Sequence, residues 1–199
     1  MTFDPLTRGQ FESFHQQFNG DIPVTFSICR ECGGPCEYTK LASLLPGEAE
    51  FMASKRNEPI EKFRLQHLDG VLIDGQIIDI LKCARRCTFL NKTTFKCEIR
   101  DYKPVICLMY PLYFPHQSTD GLVFLDTSCK IASNEETSSY FNNHGRVLVE
   151  QLGIPEEWIR RVRFIDQYDY NYSELIAGRR CGFDEYYVYE IDTIASCRL

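Results

Sequence analysis

The chain lacks any apolar run near the ~18 residues that cross a bilayer, so no membrane span is expected. It also lacks a basic excess: 22 Lys and Arg against 28 Asp and Glu leave a net charge of −6. A general nucleic-acid binder usually carries a basic face, so that class is not expected. The opening Met1-Thr2-Phe3-Asp4-Pro5-Leu6 has no basic stretch followed by an apolar one, and a secretory leader is not expected. No Walker A loop, G-x-G-x-x-G, H-E-x-x-H or G-x-S-x-G occurs, which removes the enzymes built on those motifs. At 199 residues the chain reads as one domain, or one domain with a modest appendage, and 44% hydrophobic and 25% charged content is ordinary for a globular protein.

What the chain does have is ten cysteines. With no export signal, a cytoplasmic location is expected, and there a cysteine-rich pattern points to metal binding rather than to disulfides. The densest stretch is Cys29-Arg30-Glu31-Cys32-Gly33-Gly34-Pro35-Cys36, three thiols at C-x2-C-x3-C spacing. Two glycines and a proline let this backbone wrap tightly around something small. Thiolates are soft ligands that suit zinc, Cu(I) and iron–sulfur clusters. Three rarely complete such a site, so further ligands are sought downstream. A second group supplies Cys83, Cys87, Cys97 and Cys107, with gaps of x3, x9 and x9, and Cys129 follows. The 46 residues between the groups are no obstacle, because loop entropy grows only with the logarithm of length.

The surrounding pattern reads as mixed α and β. Leu6, Phe11, Phe14 and Phe18 space a short amphipathic helix over 5–18, stopping at Asn19-Gly20. Pro23 turns 22–28 into an extended approach to the cysteine loop. Residues 38–57 look helical but broken at Pro46-Gly47, with a helix over 48–55 that Asn57-Glu58-Pro59 stops. Val71-Leu72-Ile73 and Gln76-Ile77-Ile78-Asp79-Ile80 flank Asp74-Gly75, a β-hairpin signal. Asn91-Lys92-Thr93-Thr94 and Asp101-Tyr102-Lys103-Pro104 read as turns, 95–99 and 122–125 as extended. Ser133 or Asn134 caps a helix to Leu152, and Pro155 opens another. Beyond residue 165, Tyr168, Tyr170, Tyr172, Tyr186, Tyr187 and Tyr189 are interleaved with acids, a candidate protein-partner surface.

Two kinds of centre fit the thiols: tetrahedral zinc joining loops, or an iron–sulfur cluster on three or four thiolates. Only Cys29 and Cys32 form a zinc-type C-x2-C pair, and no standard ferredoxin run is present. Four motifs in order resemble the YkgJ family of cysteine-cluster proteins, a zinc- or iron-chelating domain often containing iron–sulfur clusters. They are Cys29, Cys32, Gly33 and Cys36; Cys87-Thr88-Phe89-Leu90; Cys97-Glu98-Ile99; and Lys103-Pro104-Val105-Ile106-Cys107-Leu108-Met109-Tyr110-Pro111. The resemblance covers about residues 26–130 and lets Cys129 fill the family's downstream cysteine. The chain departs from the pattern where Glu37 replaces a second adjacent cysteine and where Leu108 replaces an arginine after Cys107. Cys83 or a Glu37 carboxylate could compensate, and among the histidines His116 is the ligand candidate. Cys181 and Cys197 lie outside the match and read as free thiols. His67 and His144 read as surface or packing groups.

The fold expected is α+β: an irregular metal-centred domain over 1–165, with helices over 5–18 and 134–163 packed on it and a short β-hairpin. Residues 166–199 form a Tyr- and acid-rich extension against it. The function expected is a cytosolic metalloprotein with an iron–sulfur cluster or zinc on Cys29, Cys32, Cys36, Cys83, Cys87, Cys97, Cys107 and Cys129, in a redox or accessory role. Two others stand beside it: a metal-dependent enzyme like the flagellin lysine N-methylases, which contain a similar cysteine region, and a structural zinc module for protein interaction.

Overall fold

A computed structural model describes residues 5–21, 42–73, 75–82, 87–91, 93–94, 96–110, 112–113, 124–125, 129, 132–133, 135–140 and 188–190. The approach at 22–28, the cysteine loop at 29–36, Glu37, Cys83, His116, His144, Cys181, Cys197 and the helix expected at Pro155 lie outside the described residues.

Helix α1 spans Arg8–Asp21. A capping box opens it: the Thr7 amide donates to Gln10 Oε1 at 2.8 Å, and the Gln10 amide to Thr7 Oγ1 at 3.4 Å. The helix runs through Asn19-Gly20 rather than ending there. One glycine in a last turn costs about 1 kcal/mol, too little to end a helix whose apolar face is packed. Phe11 and Phe14 are buried from it, and Phe11 stacks on Phe51 with ring centroids 5.2 Å apart.

Helix α2 spans Glu48–Arg56, with Glu48 and Glu50 in its first turn and Lys55 and Arg56 in its last, as the helix dipole favours. Gly47 enters it at φ 86°, and a Cβ there would lie 2.5 Å from the Leu6 carbonyl oxygen. Asn57 leaves it at φ 55°, and the Glu58 amide returns to the Ala53 carbonyl at 3.0 Å. Helix α3, Ile60–His67, follows and runs directly into strand β1. Sequence reading had ended helical structure at Pro59. A proline is tolerated just before a first turn, because the amide it lacks has no intrahelical partner there.

Strands β1 (Leu68–Ile73) and β2 (Gln76–Leu81) form the expected hairpin, longer at both ends, in register from Leu68 with Leu81 to Ile73 with Gln76. Gly75 supplies the turn with φ 73°. On the outer side of β2, Ala42–Leu44 pairs with its last turn of strand through Leu44 N–H to Asp79 O at 2.8 Å and Leu81 N–H to Ala42 O at 2.9 Å. Beyond the hairpin come a 3₁₀ turn at Arg100–Tyr102, helix α4 (Val105–Met109), strands β3 (Leu112–Tyr113) and β4 (Phe124–Leu125), and helix α5 (Glu135–Tyr140). Strands β3 and β4 pair antiparallel. Strand β5, Val188–Glu190, drawn from the Tyr- and acid-rich region, joins β1 in parallel and makes a three-stranded sheet of order β2-β1-β5.

Among the described residues the core is one apolar cluster. Phe51, Met52, Phe63, Leu68, Phe89, Ile99, Val105 and Met109 are all almost wholly buried in it. Each such side chain is worth about 1.5–3 kcal/mol of transfer free energy. The architecture of the described residues is α+β.

Candidate functional site

Cys87, Cys97 and Cys107 of the second cysteine group lie on the margin of that core. The group's first braces are main-chain bonds: Thr88 N–H to Lys82 O at 3.1 Å and Leu90 N–H to Cys87 O at 3.0 Å. The chain then reverses at the expected turn. Asn91 Oδ1 accepts from the amides of Thr93 and Thr94 at 3.0 and 2.9 Å, so its side chain builds the bend. The return path pairs Leu90 with Cys97, and the Glu98 amide reaches Phe89 O at 2.9 Å. Residues 95–99 were expected to be extended throughout. Among the described ones only Cys97 makes a bridge, and Glu98-Ile99 turn toward the 3₁₀ segment.

Cys107 sits in α4, which sequence reading left unassigned. Burial pushes its thiol well up from the usual range, and nearby Cys87, Cys97 and Glu48 add to the effect against an opposing Lys103. Cys87 and Cys97 therefore each lie within electrostatic reach of Cys107. All three are half-buried and pack against the core. Cys129 is buried within the core itself, beside Ala132 and bonded through its carbonyl to the Ser133 amide at 3.0 Å. Among the described residues, no three His, Cys, Asp or Glu side chains form a group that could hold a metal ion. The soft sulfur donors suit zinc or iron, but the trio needs donors from beyond the described residues and a closer approach.

Three residues that the sequence does not assign to the site lie beside these thiols. Glu48, fully buried, uses both carboxyl oxygens on main-chain amides: Oε2 accepts from Leu45 at 2.8 Å and Oε1 from Val105 at 2.6 Å. Desolvation raises its pKa to about 8, against the lowering effect of the two amides. His67, read as a packing group, lies with its ring 4.6 Å from Phe89 and 5.0 Å from Phe63, and Nδ1 is 3.3 Å from Thr88 Oγ1. Its Nε2 faces Glu58 Oε2 at 3.6 Å. Desolvation, then Arg56, depress its pKa while Glu58 opposes them. Lys82 is buried with Asp69, Nζ to Oδ1 4.0 Å, and its carbonyl anchors Thr88. A glutamate opening a helix or a histidine closing one carries no sequence mark of burial, so only the fold reveals them.

A second concave feature, a cleft of about 710 Å³, lies between the start of α1 and β2. Leu6, Leu44, Phe51 and Ile77 are among its walls. Arg64 at its rim is committed to Asp79 through two nitrogens at 3.1 and 3.2 Å and to Glu50 at 2.8 Å. Arg8 is likewise held by Glu12 at 2.9 Å. None of the described helices is long and apolar enough to cross a membrane. No family model, curated protein or solved structure matches the chain.

Proposed function

We propose that the chain is a metal-binding protein of the YkgJ type, holding an iron–sulfur cluster through its clustered cysteines. The observation that supports this reading is that Cys87 and Cys97 both lie within electrostatic reach of Cys107, at the edge of an apolar core. Cys29, Cys32, Cys36, Cys83 and Cys129 are the remaining candidate ligands, and Glu37 and His116 are the non-sulfur candidates.

A bound cluster would supply one-electron chemistry. The protein's part is to hold thiolates at fixed separation, to exclude water on the core side through Phe89, Ile99 and Met109, and to brace the loop at Thr88. Lys103 is the cation whose field favours Cys107 thiolate.

Anaerobic purification with iron, sulfide and zinc analysis tests the reading. A brown protein containing iron and acid-labile sulfide is expected, and Cys36→Ser or Cys107→Ser should lose the metal. A colourless chain with about one or two zinc ions would replace the cluster with a zinc centre. Full metal content in both serine variants would overturn the ligand set.

A further inference from the structure

We infer that Glu48 is the positioning residue of the thiol centre, because its carboxyl spans the amides of Leu45 and Val105 and so fixes the helix that carries Cys107. The inference rests on the metal-binding reading above.

Helix α4 is five residues long, well below the ~12 at which an isolated helix becomes even marginally stable. Its N-cap, Pro104, provides no side-chain hydrogen bond, and Val105 is 2% exposed. The Val105 amide would thus be buried without a partner, at a cost of about 1–3 kcal/mol. Glu48 Oε1 supplies that partner from 57 residues away in sequence, while Oε2 ties down the approach to its own helix through Leu45. A carboxyl is the side chain that suits this place. Both of its oxygens can accept whether it is ionised or protonated, whereas glutamine has one acceptor oxygen and turns an NH₂ toward the other amide. Aspartate keeps both oxygens but reaches one methylene less far.

Cys107 lies two residues beyond Val105, half a helical turn. Cys87 and Cys97 are held by a separate set of bonds: Thr88 to Lys82, the Leu90–Cys97 bridge and Glu98 to Phe89. Loosening α4 therefore moves one sulfur relative to two that stay in place. That changes ligand geometry more than it changes the fold.

The test uses the full chain, stripped of metal under reducing anaerobic conditions and titrated with Co²⁺ as the probe. Thiolate-to-cobalt charge transfer reads sulfur geometry directly. Wild type, Glu48→Gln, Glu48→Asp and Met52→Ala are compared, the last because Met52 is fully buried in the same helix, whereas the bond to the Val105 amide is made by Glu48. Both Glu48 variants are expected to bind Co²⁺ about ten-fold or more weakly, with a diminished charge-transfer band. Met52→Ala should be less stable yet bind as wild type does. Glu48→Asp keeps the test open if Glu48→Gln does not fold. Wild-type affinity and spectrum in a folded Glu48 variant, or an equal loss in Met52→Ala, would overturn the positioning role alone. A wild-type chain that takes up no Co²⁺ would overturn the metal reading and this role with it.

Discussion

Acid should destabilise the protein through His15. This histidine is 5% exposed on the inner face of α1, against Phe14 with ring centroids 5.9 Å apart and Phe51 at 5.5 Å. Neither ring nitrogen has a hydrogen-bond partner. Desolvation, helped by Lys55, depresses its pKa from 6.5 to about 4. The unfolded chain therefore binds a proton at higher pH than the folded chain. Stability is complete above about pH 6.5, falls as pH drops toward 4, and levels off below it. The limiting loss is about 3 kcal/mol, of which about 2 kcal/mol is reached by pH 5. With a urea m-value of about 2 kcal/mol/M, that moves the midpoint by about 1 M. His15→Leu removes the titrating group while keeping an apolar side chain of similar size. The difference in midpoint between wild type and His15→Leu, measured at pH 7 and pH 5, isolates this one residue from all other titrations. Wild type should lose about 1 M relative to the variant on acidification. An unchanged difference, or a His15 ring that titrates near 6.5 in the folded chain, would refute the reasoning.

Glu48 acts with the opposite sign. Its folded pKa near 8 lies above the ordinary 4.5, so stability is intact below about pH 4.5 and declines as pH rises to about 8, by about 5 kcal/mol at most; urea melts of Glu48→Gln should be much flatter across that window than those of wild type. Gly47→Ala should cost more than the ~1 kcal/mol of a left-handed alanine, because its Cβ would sit 2.5 Å from the Leu6 carbonyl oxygen; thermal melting reads the loss, and a wild-type midpoint would contradict the geometry. Phe63→Ala should cost about 3–5 kcal/mol, since the ring is wholly buried and stacks 6.0 Å from Phe89; a loss under 1 kcal/mol by urea denaturation would mean the site collapses around the gap.

Elements with a local cause could be read in advance. Asp74-Gly75 announced the hairpin because a two-residue turn needs a positive φ, which Gly75 supplies. Asn91 announced its turn because its own side chain makes the bonds. The break at Pro46-Gly47 and the stop at Asn57 were legible for the same reason. Helix α4 was not, because five residues show no period and its cap comes from another helix. Strand β5 was not, because three residues that pair in parallel with a strand over a hundred residues earlier leave no nearby signal.

The thiol spacing by itself determined the chemistry to look for: soft ligands in two groups, in a chain of net charge −6. Tertiary structure decided where the described thiols lie. Cys87 and Cys97 come within electrostatic reach of Cys107, on segments that Asn91 turns and Glu48 braces, while Cys129 goes into the core. The physical reason is reach. Turns and caps act over three or four residues, and sequence shows them. A buried carboxyl that bridges 57 positions leaves no trace until the chain has folded around it.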